Sequence, residues 1–159
     1  MPFLKKRFTI LFLLAGFCFS FDSCTTLDLY EKDVTVPQHS WASGFKPEFN
    51  FTIKDSTARY QLYFVIRHTA KYNYNNIWIN LYSIPPGDTL RHVRFELPLA
   101  TNEKGWLASG MDDIYEHRIP LTNPQTLKAG TYTFMLEQIM REDPLENVLN
   151  VGLRLEKKP

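Results

Sequence analysis

From Phe49 onward the chain alternates apolar and polar residues with a period of two, the feature that most restricts what it can fold into. Successive side chains of a strand point to opposite faces, so this pattern describes strands that bury one face and leave the other to solvent. Phe49, Phe51 and Ile53 share one face, with Asn50 and Thr52 opposite. Tyr60, Leu62, Phe64 and Ile66 repeat the pattern against Gln61, Tyr63, Val65 and Arg67. It recurs in Ile77–Leu81, with Trp78 and Tyr82 on the other side, and in Val93–Leu97. Tyr132–Leu136 and Leu149–Leu155 complete the set. Weaker alternation predicts two more strands, Leu29–Val36 and Ile114–Leu121. An aromatic content of 14% suits pleated, half-buried surfaces and agrees with this reading.

Turn residues separate the runs. Lys54-Asp55-Ser56-Thr57 sits at hairpin distance between two strands, and Pro85-Pro86-Gly87-Asp88 divides the next pair. Asn123-Pro124 and Ala129-Gly130 bracket a short connection with room for one helical turn. No segment after Cys24 holds a 3.6-residue period. The prediction is an all-β chain: a single antiparallel β-sandwich, jelly-roll-like, of seven or eight strands.

The first twenty-four residues form a different kind of segment. Lys5, Lys6 and Arg7 precede Phe8–Phe21, an almost wholly apolar run too short to span a membrane comfortably. The run ends in Asp22-Ser23-Cys24, which resembles the lipobox of bacterial lipoproteins, where cleavage leaves an acylated cysteine as the new N-terminus. This predicts residues 1–23 as a signal peptide, 24–43 as a lipid-anchored tether with a first strand, and 44–159 as the sandwich. Cleavage removes Cys18 and leaves Cys24 as the lone cysteine, so the mature chain has no internal disulfide and no multi-thiolate zinc site. Several acyl chains on Cys24, at about 0.8 kcal/mol per buried CH₂, hold a protein on a membrane. Thr25 in place of Asp at the next position points, by analogy with other bacterial lipoproteins, to the outer membrane. The sequence therefore predicts a lipid-anchored envelope protein facing the periplasm.

Little else in the sequence announces chemistry. A net charge of +1 gives no basic face for nucleic acid. The seven glycines are scattered as turn residues, and neither a nucleophile elbow nor an H-E-x-x-H pair is present. His39, His68, His92 and His117 lie in separate segments without ligand spacing, so neither a metal nor another cofactor is expected. Asp112, Asp113, Glu116 and His117 form a compact cluster. It lacks the spacing of an EF-hand loop, and acid–base chemistry would need its members to converge on a cleft. A second cluster is aromatic: Tyr72, Tyr74, Asn75, Asn76, Trp78 and, in a separate loop, Trp106. Exposed, coplanar rings there would suit a glycan, whereas buried rings would serve the core.

The order of these segments resembles the gliding motility lipoprotein GldH family of Bacteroidetes. The resemblance is carried by Cys24, Tyr30, Trp41 and Phe49-Asn50-Phe51-Thr52-Ile53, then by Tyr60–His68 and Tyr72–Trp78. It continues through Phe95–Ala100, Gly105–Gly110, Gly130–Phe134, Gln138–Arg141 and Val148–Glu156. Ala108-Ser109 and Glu146-Asn147 depart from it, both in loops. The resemblance implies a non-enzymatic envelope lipoprotein needed for gliding and associated with type IX secretion. It supplies no catalytic residues. Binding of envelope proteins is then expected at one end of the sandwich, through Tyr72–Asn76, Gly105–Asp113 and Asp143–Asn147. A carbohydrate-binding sandwich using Trp78, Trp106 or Tyr74 as a stacking platform is the alternative.

Overall fold

A computed structural model describes residues 29–159. The predicted signal peptide (residues 1–23), Cys24 with its predicted lipidation, and Thr25–Asp28 lie outside the described residues. Eight strands of six residues or more build two antiparallel sheets, and six shorter strands join or extend them. In the larger sheet, β1 (Leu29–Thr35), β14 (Val148–Lys158), β4 (Arg59–Thr69), β10 (Ile114–Pro120) and β9 (Ser109–Met111) follow in that order. A two-residue β11 (Gln125–Thr126) also pairs with β4. The smaller sheet has the order β3 (Glu48–Ile53), β12 (Gly130–Gln138), β5 (Asn76–Ile84), β6 (Arg91–Pro98). Two further two-stranded ladders pair β2 (Ser40–Trp41) with β13 (Leu145–Glu146), and β7 (Ala100–Thr101) with β8 (Gly105–Trp106). The chain is an all-β sandwich, as its alternation predicts.

The register explains the core. Phe64 of β4 lies opposite Leu153 of β14 and Ile119 of β10, and Ile66 lies opposite Val151 and His117. These inward residues meet Phe49, Phe51, Ile77, Ile79, Leu81, Phe134 and Leu136 from the smaller sheet in one buried cluster. β1 keeps the alternation but places Lys32 opposite Leu153 on the inward face. Its ammonium escapes burial by donating to the Asn50 backbone oxygen of β3 at 2.7 Å, across the gap between sheets. An inward charge on an edge strand also discourages pairing with another chain. Gly152 makes β1 and β14 fit: a Cβ there would lie 2.5 Å from the Lys32 carbonyl oxygen.

The structure departs from the sequence reading in three places. Beyond the strand expected at Leu29–Val36, which forms β1 and pairs with β14 along its whole length, the rest of the segment read as tether is folded too, with buried Trp41 in the core. The connection between Asn123 and Gly130 contains β11 rather than a helical turn, and half-buried Leu127 packs against the core. On β6 the predicted inward face is covered only at one end. Leu97 is buried and Phe95 half-buried, whereas Val93 is 53% exposed. β10 ends at Pro120, opposite Tyr63, and only the short β11 continues along that edge of β4, beside Tyr60 and Arg59. The lower part of β6 therefore has little opposite it. A cleft of about 370 Å³ remains between the sheets, lined by Leu62, Leu81, Val93, Phe95, Leu127 and Phe134 among others.

Candidate functional site

Strand direction gives the sandwich two distinct ends. β4 runs from Arg59 to Thr69, and the turns beyond Thr69 gather at what is here termed the far end. The chain enters β1 at the opposite, near end, where Leu29 pairs with Glu156. The three loops expected to form a binding surface all meet at the far end. The Ala70 N–H donates to the Asp113 carbonyl at 2.7 Å, the Thr69 N–H to that of Asn147 at 3.0 Å, and the Asn147 side-chain amide to the Lys71 carbonyl at 3.1 Å. The turns need backbone conformations that Asp and Asn tolerate: Asp112 has φ 54° and Asn147 φ 68°.

Beneath these loops the register joins two histidines separated by 49 residues in sequence. His68 continues the inward face of Leu62, Phe64 and Ile66, and His117 lies opposite Ile66 on the neighbouring strand. Both are fully buried, their rings stack at 5.0 Å, and their Nε2 atoms are 2.9 Å apart. The tautomers follow from partners. His68 Nδ1 lies 2.8 Å from the Thr69 carbonyl oxygen, which can only accept, so that nitrogen carries a proton. In the neutral ring His68 Nε2 is then an acceptor, and His117 donates to it from its own Nε2. The remaining nitrogen, His117 Nδ1, is buried without a hydrogen bond. Burial, then the neighbouring His68, lower the His117 pKa to about 4, opposed by the nearby Leu107 backbone. Burial also lowers that of His68, opposed by the Thr69 carbonyl. The pair is neutral at pH 7.

An aromatic shell encloses this pair. Trp106 meets the His68 ring edge-on at 4.5 Å, Tyr72 lies 5.0 Å from it, and Tyr115 stacks at 5.8 Å. Tyr115 fits because Gly110 faces it; a Cβ there would approach the ring to 3.0 Å. Buried Gln138 braces the other side of this end, donating to the Trp41 carbonyl at 3.1 Å and the Asp143 carboxylate at 3.2 Å. The shell leaves Leu107, Ile114 and Met111 exposed, Met111 at 78%. Asp112 and Asp113 are exposed beside them.

The predicted site residues are thus sorted into different roles. Tyr72 is buried, its hydroxyl donating to the Asn76 carbonyl at 3.0 Å. Tyr74 is half-buried and edge-on to Tyr72, and Asn75 is exposed. Asn76 donates to Glu96 at 2.8 Å. Trp78 lies apart on the outer face of the smaller sheet, with the Arg94 guanidinium 4.5 Å from its ring centre. Trp106 belongs to the shell. Among the described residues these three rings, Tyr74, Trp78 and Trp106, do not stack on one another. The acidic cluster also divides, because neighbours on a strand face opposite ways. His117 points inward, while Glu116 pairs on the outer face with Arg67 and Arg118. Among the described residues no group of three metal-ligating side chains converges.

A polar cluster that the sequence reading did not single out occupies the outer face of the smaller sheet. Glu137 accepts from Tyr82 at 2.6 Å and Asn80 at 2.9 Å and pairs with Lys46 at 2.7 Å. Desolvation pushes its carboxyl up, but these partners outweigh it and hold the pKa at about 2.

Residues 28–155 match the model of the family described as GldH lipoprotein. The chain belongs to the GldH lipoprotein family. A gliding motility lipoprotein GldH homolog of Christiangramia forsetii is 27% identical over 146 residues, covering 86% of this chain and 88% of the relative. The gliding motility lipoprotein GldH of Flavobacterium johnsoniae is 26% identical over 160 residues, covering 96% and 98%. Among solved structures, a cellulose-specific carbohydrate-binding module, CBM28, aligns with 81% of this chain and 73% of its own at a TM-score of 0.45 and 12% identity. The GldH match spans β1 to Leu155 and so takes in both sheets and the whole far end.

Proposed function

We propose that this GldH-family chain is a non-enzymatic gliding motility lipoprotein. Acyl chains on Cys24 anchor it to the outer membrane on the periplasmic side. Its far end binds a protein of the gliding or type IX secretion machinery. The observation that carries this reading is the construction of the far end. Three loops are hydrogen-bonded together over an enclosed histidine–aromatic cluster, so the exposed Leu107, Met111 and Ile114 are held in fixed positions. Pre-organised apolar groups with a polar rim are what a protein interface requires, because little ordering entropy remains to be lost on binding. Asp112 and Asp113 supply part of that rim and favour a partner with basic groups.

A crosslinked pull-down from intact envelopes tests the proposal, using the acylated chain with a C-terminal tag and mass spectrometry of what it captures. Recovery of motility or secretion subunits with the wild type, and their loss with Met111→Asp plus Ile114→Asp, is the expected result. Capture unaffected by these substitutions removes the far end from the proposal. No partner above the level of a Cys24→Ala control removes envelope-protein binding itself.

A further inference from the structure

The six large hydrophobic side chains exposed among the described residues fall into two groups of three. Leu107, Met111 and Ile114 belong to the far end; Ile84, Leu90 and Val93 lie toward the near end, around the turn joining β5 to β6. Charge is divided as well. The near-end turns and the end of β14 carry Lys54, Arg59, Arg91, Lys128, Lys157 and Lys158 against Asp55, Asp88 and Glu156. The far-end loops carry Glu103, Asp112, Asp113, Glu142, Asp143 and Glu146 against Lys46, Lys71, Lys104 and Arg141. The sandwich is thus polarised along its strands, basic at one end and acidic at the other.

The basic end is also the one from which the chain leads back to Cys24. Only residues 25–28 separate that cysteine from Leu29, and the five steps of chain between the two span at most about 18 Å even when extended. A domain held so closely cannot keep this end away from the lipid surface. The apolar cleft reaches the same end, with Lys128 and Arg91, the latter ion-paired to Asp88, beside its apolar wall. Basic side chains around exposed apolar ones match an anionic leaflet, in which phosphates meet the cations and the apolar groups enter the headgroup boundary.

We propose that the near end is a second membrane contact: the β5–β6 turn, with Leu90, Val93, Arg91 and Lys128, rests on anionic phospholipid and orients the sandwich with its far end pointing away from the membrane. The proposal rests on anchoring through Cys24 but is distinct from it.

An environment-sensitive fluorophore on a single introduced cysteine tests the contact in the acylated protein, where Cys24 is blocked by its lipid. Leu90→Cys reports the near end and Met111→Cys the far end, in vesicles of phosphatidylethanolamine with or without phosphatidylglycerol. The expected result is several-fold brighter, blue-shifted emission at position 90 in the phosphatidylglycerol vesicles, quenched by spin-labelled acyl chains, with no change at position 111. Arg91→Glu with Lys128→Glu should abolish the difference, and raised salt should weaken it. If the protein binds vesicles yet position 90 stays as open to an aqueous quencher as position 111, the second contact is overturned and the anchor stands. If the acylated protein binds no vesicles, both are overturned.

Discussion

The buried histidine pair makes the stability of this domain depend on pH in a calculable way. In the folded state His117 has a pKa of about 4, against 6.5 for an unperturbed histidine. Between these values the unfolded chain binds the proton and the folded chain does not. The stabilisation is therefore fully present above about pH 6.5 and is lost as pH falls toward 4. With 1.36 kcal/mol per pKa unit, lowering the pH from about 7 to about 5 costs roughly 2 kcal/mol. His68, also lowered by burial, adds in the same direction. At roughly 2–4 °C per kcal/mol for a domain of this size, the melting temperature falls by about 4–8 °C. The depressed carboxylates do not obscure this range. Asp55, Asp88, Glu137, Asp143 and Glu156 are all lowered from ordinary values of 3.8 or 4.5, so their contribution fades only at lower pH. Thermal melts followed by circular dichroism from pH 7 to pH 5 measure the slope. His117→Gln provides the control, because a glutamine N–H can replace the one donated to His68 while removing a titrating group. Its melting temperature should change less with pH than that of the wild type. A flat wild-type profile, or an equal slope in His117→Gln, would refute the reasoning.

Three further outcomes are expected. Gly152→Ala should lower stability by more than about 2 kcal/mol in urea denaturation, since its Cβ would lie 2.5 Å from the Lys32 carbonyl oxygen and 2.9 Å from Asp33 Cα, both backbone atoms. Leu153→Ala, at a fully buried position, should cost about 2–5 kcal/mol; wild-type thermal stability would contradict the assigned strand face. Cys24→Ala should leave the circular dichroism spectrum of the sandwich unchanged while moving the protein from the membrane to the soluble fraction, and persistence with the membrane would remove the lipobox reading.

Most of the fold was legible because a two-residue period states which side chains share a face. Even the weak alternation at Leu29–Val36 and Ile114–Leu121 corresponds to strands, β1 and β10. What the period cannot state is what lies opposite. Val93 has the right phase for burial, but β10 has ended before reaching it, so it stays exposed. The far end illustrates the same limit. His68 and His117 were read only as lying in separate segments, and their meeting depends on the register between β4 and β10, which the sequence does not carry. The carboxylates beside His117 looked like one cluster only while the chain was read as a line. A strand separates Glu116 from its neighbour by turning them to opposite faces. Trp78 and Trp106 were grouped by residue type, and the sheets put one on an outer face and the other in a loop at the end.

The placement of β1 has a mechanical consequence. This strand is the first described part of the chain after the proposed anchor at Cys24, and it is held to β14 by seven residue pairs running from the near end to the far end. A partner gripping the far-end loops while lipid holds the N-terminus would apply tension along the strand axis. The ladder is then loaded in shear, with its hydrogen bonds sharing the force, instead of being peeled open one pair at a time. Lys32, fastened to the backbone of β3, carries part of that tension into the second sheet. With the anchor and the far-end partner proposed above, a sandwich wired in this order would transmit a pull between them without first giving up its edge strand.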